Sequence, residues 1–120
     1  MKHPDGHWFM RWEPDDWLLD DELTACSPQT RGIWMDWLCR MGRSGGYYVQ
    51  GDIQTLADLG RCTPEQAEQA VRELRNCRAA RVLKHKCGWR IVSRRCHKEW
   101  RERKSARIRK MHERGKDVTD

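Results

Sequence analysis

No apolar run in this chain comes near the roughly 18 to 20 residues needed to cross a bilayer, so a membrane-spanning helix is not expected. The opening residues MKHPDGHW contain no apolar signal core, and a cytoplasmic location is the expectation. Six cysteines are present, yet Cys26, Cys39, Cys62, Cys77, Cys87 and Cys96 include no CxxC pair. Without an export signal they read as reduced thiols rather than as a disulfide framework. No internal repeat is visible, and 120 residues suffice for one modest core but not two.

Charge and tryptophan are what the chain has in quantity. Charged residues make up 35%, but seven Trp supply large apolar surfaces that a disordered polymer lacks. The charge is divided along the chain. Residues 1–60 carry 5 Lys/Arg against 10 Asp/Glu, a net of −5, whereas residues 61–116 carry 19 against 6, a net of +13. A polyanionic partner for the second half follows, with nucleic acid or an anionic membrane surface as the candidates.

Local patterns then place the elements. The stretch HWFMRWEPDDWLLDDELTACS sets bulky residues around Trp8, Trp12 and Trp17 and predicts a packed arm with little regular structure, folded over the helix that follows. Ser27 as N-cap, Pro28 in the first turn and a stripe of Ile33, Trp34, Trp37, Leu38 and Met41 predict that helix, with Trp34 and Trp37 in the core. Glycines at 42, 45, 46 and 51 bracket Tyr47, Tyr48 and Val49, which predicts a brief strand. A second helix should start after Asp52, turn Ile53, Leu56, Ala57 and Leu59 inward, and close at Gly60. The third carries the fullest start signal: Thr63 as N-cap, then Pro64, with Gln66 completing a capping box. Its Ala67, Ala70, Val71 and Leu74 form one narrow apolar face. The runs RVLKHK and WRIVS around Cys87 and Gly88 predict a hairpin with the glycine at the turn.

That order predicts a mainly α chain with a small β-hairpin: a winged helix-turn-helix over 27–95, preceded by a Trp-rich arm over 1–26. From Arg94 to Lys116 the chain has 11 basic residues against 3 acidic ones, which predicts a basic, marginally stable helical extension, the tail proper being 96–120. The i, i+4 pairs Lys98 with Glu102 and Glu99 with Arg103 would support it.

With these elements placed, residues Trp8 to about Arg95 resemble the small winged-helix domain encoded in bacteriophage and prophage replication regions. The resemblance rests on DWLLD, RGIWMDWLCRM, LADLGRCTPEQAEQAVREL and GWRIVSRR. It implies a DNA-associated protein acting in replication initiation or its regulation in a bacterial host cell, without enzymatic activity of its own. The cysteines and the basic, Trp-containing tail depart from the family's pattern.

The candidate DNA-binding residues fall in three groups. On the third helix, Gln66, Gln69 and Arg72 have side chains suited to base edges, with Glu65 and Asn76 facing the same way. Glu65, Glu68 and Glu73 against Arg72 and Arg75 leave that segment net negative, which opposes approach to phosphates and keeps a protein-docking role open. In the hairpin, Lys84, Lys86 and Arg90 alternate with Val82 or Leu83 and Ile91, so that one face can be apolar and the other can meet phosphates. In the tail, Arg94, Arg95, Lys98, Arg101 and Arg103 would release counterions, and Trp100 could stack on an exposed base. Duplex DNA is the expected partner, a single strand or a replication protein the alternatives, and an anionic membrane surface suffers from the tail's meagre apolar face.

No cofactor or metal is expected. His85, Cys87, Cys96 and His97 could gather a zinc ion only if the hairpin brought them together, and neither pair has zinc-knuckle spacing. The carboxylates Asp15, Asp16, Asp20, Asp21 and Glu22 read as solvated or capping groups rather than a hydrolase site, though the acidic arm and the basic tail could contact each other.

Overall fold

The computed structural model describes Pro14, Trp17 and residues 21–119. A single helical turn, α1 (Asp21–Thr24), leads into α2 (Pro28–Ser44), β1 (Tyr48–Gly51), α3 (Ile53–Leu59), α4 (Pro64–Arg75), β2 (Ala80–His85), β3 (Gly88–Ser93) and α5 (Arg94–Thr119). The three strands form an antiparallel sheet in the order β1-β3-β2. This is the expected winged helix-turn-helix with its basic helical extension.

Capping chemistry sets the helix boundaries. The Ser27 hydroxyl accepts from the Thr30 amide at the start of α2, and Asp52 does the same for the Thr55 amide at α3. At α4 the full capping box forms: the Gln66 amide donates to the Thr63 hydroxyl and the Thr63 amide to Gln66 Oε1. Helix α2 ends in a Schellman turn, with Gly45 at φ 72, its N–H on the Gly42 carbonyl and the Gly46 N–H on that of Met41.

Gly60 does not take the left-handed position expected of a closing glycine. It sits at φ −90, and the next residue, Arg61, carries φ 52. Gly60 is needed for space instead, because a Cβ there would lie 3.0 Å from Ile33 Cγ2 and from Trp37 Nε1. Arg61 is held across the turn by Asp36, with Nη2 at 2.8 Å from Oδ1. The hairpin glycine is likewise spatial. The two turn residues are Lys86, at φ 52, and Cys87, while Gly88 pairs with His85 as the first residue of β3. A Cβ on Gly88 would stand 2.1 Å from the Gly51 carbonyl oxygen, so the close approach of β1 admits no side chain.

The core lies between α2, α3, α4 and the inner face of the sheet. Trp37, Met41, Leu56, Leu74 and Ile91 are fully buried, with Trp34 and Val71 beside them. Trp37 donates its indole N–H to the Leu56 carbonyl at 3.0 Å, which satisfies its one polar atom inside the apolar interior. From the arm, Leu23 and Cys26 are buried and Trp17 packs against the core, the last of these as expected. The single turn of α1 is followed by a bond from the Cys26 N–H to the Leu23 carbonyl. The readings made for Trp8, Trp12, Asp15, Asp16 and Asp20, and for an arm-to-tail contact, lie outside the described residues.

Helix α5 follows β3 without a loop. The Ser93 hydroxyl accepts from the Cys96 amide, the Ser93 amide donates to the Tyr47 carbonyl, and Cys96 is buried. The packed body continues past this point, since His97 and Trp100 lie against Tyr47 and Arg103 donates to the Gly45 carbonyl at 3.2 Å. From Lys104 to Arg114 the side chains of the helix are exposed except for half-buried Ala106, with Ile108 and Met111 among the exposed ones. Among the described residues no helix is long and apolar enough to cross a membrane.

Candidate nucleic-acid interface

Helix α4 buries Ala67, Ala70, Val71 and Leu74 and turns Glu65, Glu68, Gln69, Arg72, Arg75 and Asn76 to solvent. Glu73 does not belong to that outer face. Its carboxylate reaches back to the start of α2, where Oε1 accepts from the Ser27 amide at 2.7 Å and Oε2 from the Ser27 hydroxyl at 3.0 Å and from the Thr30 hydroxyl. The helix N-terminus supplies amide donors and the positive end of a dipole. Burial pushes the Glu73 carboxyl upward, but the bonds from Thr30, Ser27 and Gln69 outweigh it and hold the group below the usual glutamate range.

Removing Glu73 from the count leaves Glu65 and Glu68 against Arg72 and Arg75, a neutral outer face rather than a negative one. The charges on it are also sorted. The acids stand in the first turns, where the helix dipole favours them, and the arginines stand at the C-terminal end beside the wing. Of the expected base readers, Arg72 is exposed, Gln69 is exposed but bonded to Glu73, and Gln66 is half-buried with its side-chain oxygen spent on the capping box.

A depressed carboxyl makes a pH prediction with a fixed sign. The stability that Glu73 contributes is fully present above its unfolded value of about 4.3 and is lost as pH falls through the lower folded value. Glu73→Gln should cost about 1–3 kcal/mol at neutral pH, as for hydrogen bonds to a charged acceptor, and should flatten the acid limb of the stability curve. Urea midpoints across pH 2–7 check this; parallel acid limbs in the two proteins would rule it out.

In the wing, strand register corrects the expectation that Lys84, Lys86 and Arg90 share a phosphate-facing side. Lys84 pairs with Trp89 and Val82 with Ile91, which puts Lys84 on the core face of the sheet, past the end of the core. Arg90 pairs with Leu83 and Gln50 and faces the other way, bonding Gln50 Oε1 at 2.9 Å with its guanidinium 4.5 Å over the Tyr48 ring. A one-residue difference in strand position changes the face, and the sequence did not disclose the pairing. Lys86 sits at the exposed tip. Trp89 joins wing to helix: Arg75 lies 4.6 Å over its ring on one side and Lys84 Nζ is 6.0 Å away. Arg75 and Lys84 thus meet at one cationic corner around Trp89, with exposed Arg72 three residues before Arg75 on α4; Arg75 was not among the expected readers.

The tail cations divide into two stripes at the helical step of 100° per residue. Arg94, Lys98, Arg101 and Arg109 follow one line; Trp100, Arg103, Lys104, Arg107 and Lys110 follow another on roughly the opposite side. Arg103, expected among the first group, therefore belongs to the second. Arg95 is partly exposed and pairs with Glu99 at 3.5 Å. Trp100 is not a free tail residue: it packs on Tyr47 with centroids 4.9 Å apart and carries Lys104 Nζ at 5.1 Å. A helical wheel of 94–110 contains the signal for both stripes, but the anchoring of Trp100 on Tyr47 does not show in it.

Among the described residues no three His, Cys, Asp or Glu side chains converge on a metal-sized site. The hairpin keeps the zinc candidates apart, since Cys87 is at its tip and Cys96 at the base of a six-residue strand, a length of about 20 Å. Burial pushes the Cys26 thiol up to about 11, with the neighbouring Cys77 and Glu73 adding to it, and burial also raises Cys96. Both thiols are held in their unreactive protonated form at neutral pH.

No family model, no curated protein and no solved structure matches the chain.

Proposed function

We propose that this chain is a winged-helix duplex-DNA-binding protein without catalytic activity, acting in the initiation of replication or its control in the cytoplasm of a bacterial host. The resemblance to phage replication-region domains supplies the biological setting. The observation that carries DNA binding is the cationic corner of Arg75 and Lys84, with Arg72 before it on α4: it stands where the recognition helix meets the wing, on a helix face that Glu73 no longer makes negative. Such a corner can seat the end of α4 in a major groove while the wing tip at Lys86 and the stripe Arg94, Lys98, Arg101 and Arg109 track the backbone. Sequence preference then falls mainly to Arg72, because Gln66 is engaged in its cap and Gln69 is bonded to Glu73.

Selection of bound sequences from a random duplex pool tests this. A defined motif is expected, and Arg72→Ala should relax one position of it at a cost of about 1–3 kcal/mol. Exposed Leu83, 38% accessible on the wing, and the acids Glu65 and Glu68 favour a second reading, in which α4 and the wing dock another replication protein while the tail holds nucleic acid non-specifically. A pool that yields no motif at low salt would favour this adaptor and sink direct readout.

A further inference from the structure

The face of the molecule turned away from α4 carries a second basic surface, built around aromatic rings. Strand register sends Tyr48 and Arg90 to the side of the sheet opposite Ile91 and Trp89. The Tyr48 ring meets Tyr47 edge-on at 5.1 Å, and Tyr47 in turn packs on Trp100 at 4.9 Å and on His97 at 4.4 Å. A cation lies over each end of this row, Arg90 on Tyr48 at 4.5 Å and Lys104 on Trp100 at 5.1 Å. The rings are half-buried, so each keeps some surface open.

Trp100 also forms the wall of a groove of about 540 Å³ between α5 and the turn that ends α2. Gly45, Arg103, Lys104, Ala106, Arg107 and Lys110 line the rest, with no carboxylate among them. Successive cations three or four residues apart rise by about 4.5–6 Å along the helix. Four cations and one large ring in a single groove attract a polyanion that also offers flat apolar faces. A duplex covers its base faces with its own neighbours, whereas a single strand leaves them open to stack on aromatic rings or guanidinium planes. Trp100 and Ala106 are too small an apolar wall to hold a lipid surface.

We propose that this groove and its aromatic row bind single-stranded nucleic acid. Its phosphates run along Arg103, Lys104, Arg107 and Lys110, one base stacks on Trp100 in place of the flexible Lys104 side chain, and another rests on the Arg90–Tyr48 stack. The site is separate from the duplex-facing corner of α4 and the wing, and it stands or falls independently of that reading. A protein that holds duplex on one face and a separated strand on the other suits a locus where DNA is being opened.

Titration of the full chain with an oligothymidylate of about 15 nucleotides and, in parallel, with a duplex tests the proposal. Trp100→Ala should weaken single-strand binding about tenfold, the loss of one base stack, and leave duplex affinity within about twofold. Trp100→Phe, which keeps a ring against Tyr47 and preserves the fold, should retain most of the single-strand affinity but lose the part of the tryptophan quenching that the oligonucleotide causes in the unaltered protein. Lys104→Gln with Arg107→Gln should reduce the salt dependence of single-strand binding by about 1.4 in slope, against no change for duplex. Equal losses on both ligands, quenching undiminished by Trp100→Phe, or preferential capture of phosphatidylserine vesicles or an acidic peptide over the oligonucleotide would each overturn it. Absence of duplex binding would count against the proposed function and not against this site.

Discussion

Replacing Arg94, Lys98, Arg101 and Arg109 together by Gln should lower duplex affinity by about 10²- to 10³-fold at physiological ionic strength, with little loss of stability. All four side chains are exposed and lie along one line of α5. Each cation that meets a phosphate releases a condensed counterion, so the slope of log K against log salt should fall by about 0.9 for every contact removed and by about 3–4 for the set. The stability forecast rests on their location, because solvent-exposed charges on a helix surface contribute only a few tenths of a kcal/mol each. A salt series on the two proteins, with thermal midpoints recorded alongside, gives the answer. An unchanged slope would mean that this flank of α5 does not touch the duplex.

Trp37→Ala should leave the protein largely unfolded at 37 °C. The side chain is wholly buried among α2, α3 and the turn at Gly60, and truncation of a buried Trp costs about 3–5 kcal/mol in lost burial and residual cavity. The same change removes the 3.0 Å bond from Trp37 Nε1 to the Leu56 carbonyl, which keeps its bond from the Gly60 amide, for about another 0.5–1.5 kcal/mol. Small domains hold only about 5–15 kcal/mol in total, so the combined loss takes most of it. Trp37→Phe keeps the ring volume in part and should fall between the two. Urea unfolding followed by circular dichroism decides the matter, and a midpoint for the alanine variant close to the unaltered one would refute the assignment of Trp37 as the centre of the core.

The two predictions also mark different kinds of sequence information. Trp37 was legible because the Ile33, Trp34, Trp37, Leu38 and Met41 stripe repeats at helical spacing, and burial of a stripe is a local consequence of its period. The capping box at Thr63 and Gln66 was legible for the same reason, since its partners are three residues apart. Glu73 was misjudged because its partners Ser27 and Thr30 are 46 and 43 residues away, and no local rule connects them. Counting it as a surface charge made the recognition helix look more hostile to phosphates than it is.

Local order in the chain by itself determined the succession of helices and strands, the buried faces of α2 and α4, and the concentration of positive charge after residue 60, because each follows from spacing, capping or composition. Tertiary structure alone decided which faces the charges occupy. Pairing of β2 with β3 sent Lys84 and Arg90 to opposite sides, the reach of Glu73 cleared the outer face of α4, and the packing of Trp100 on Tyr47 set a row of rings beside a cationic groove. The last two depend on contacts between residues some 46 to 53 positions apart, which form only when the chain closes on itself, and the first on a hairpin register that no local pattern discloses.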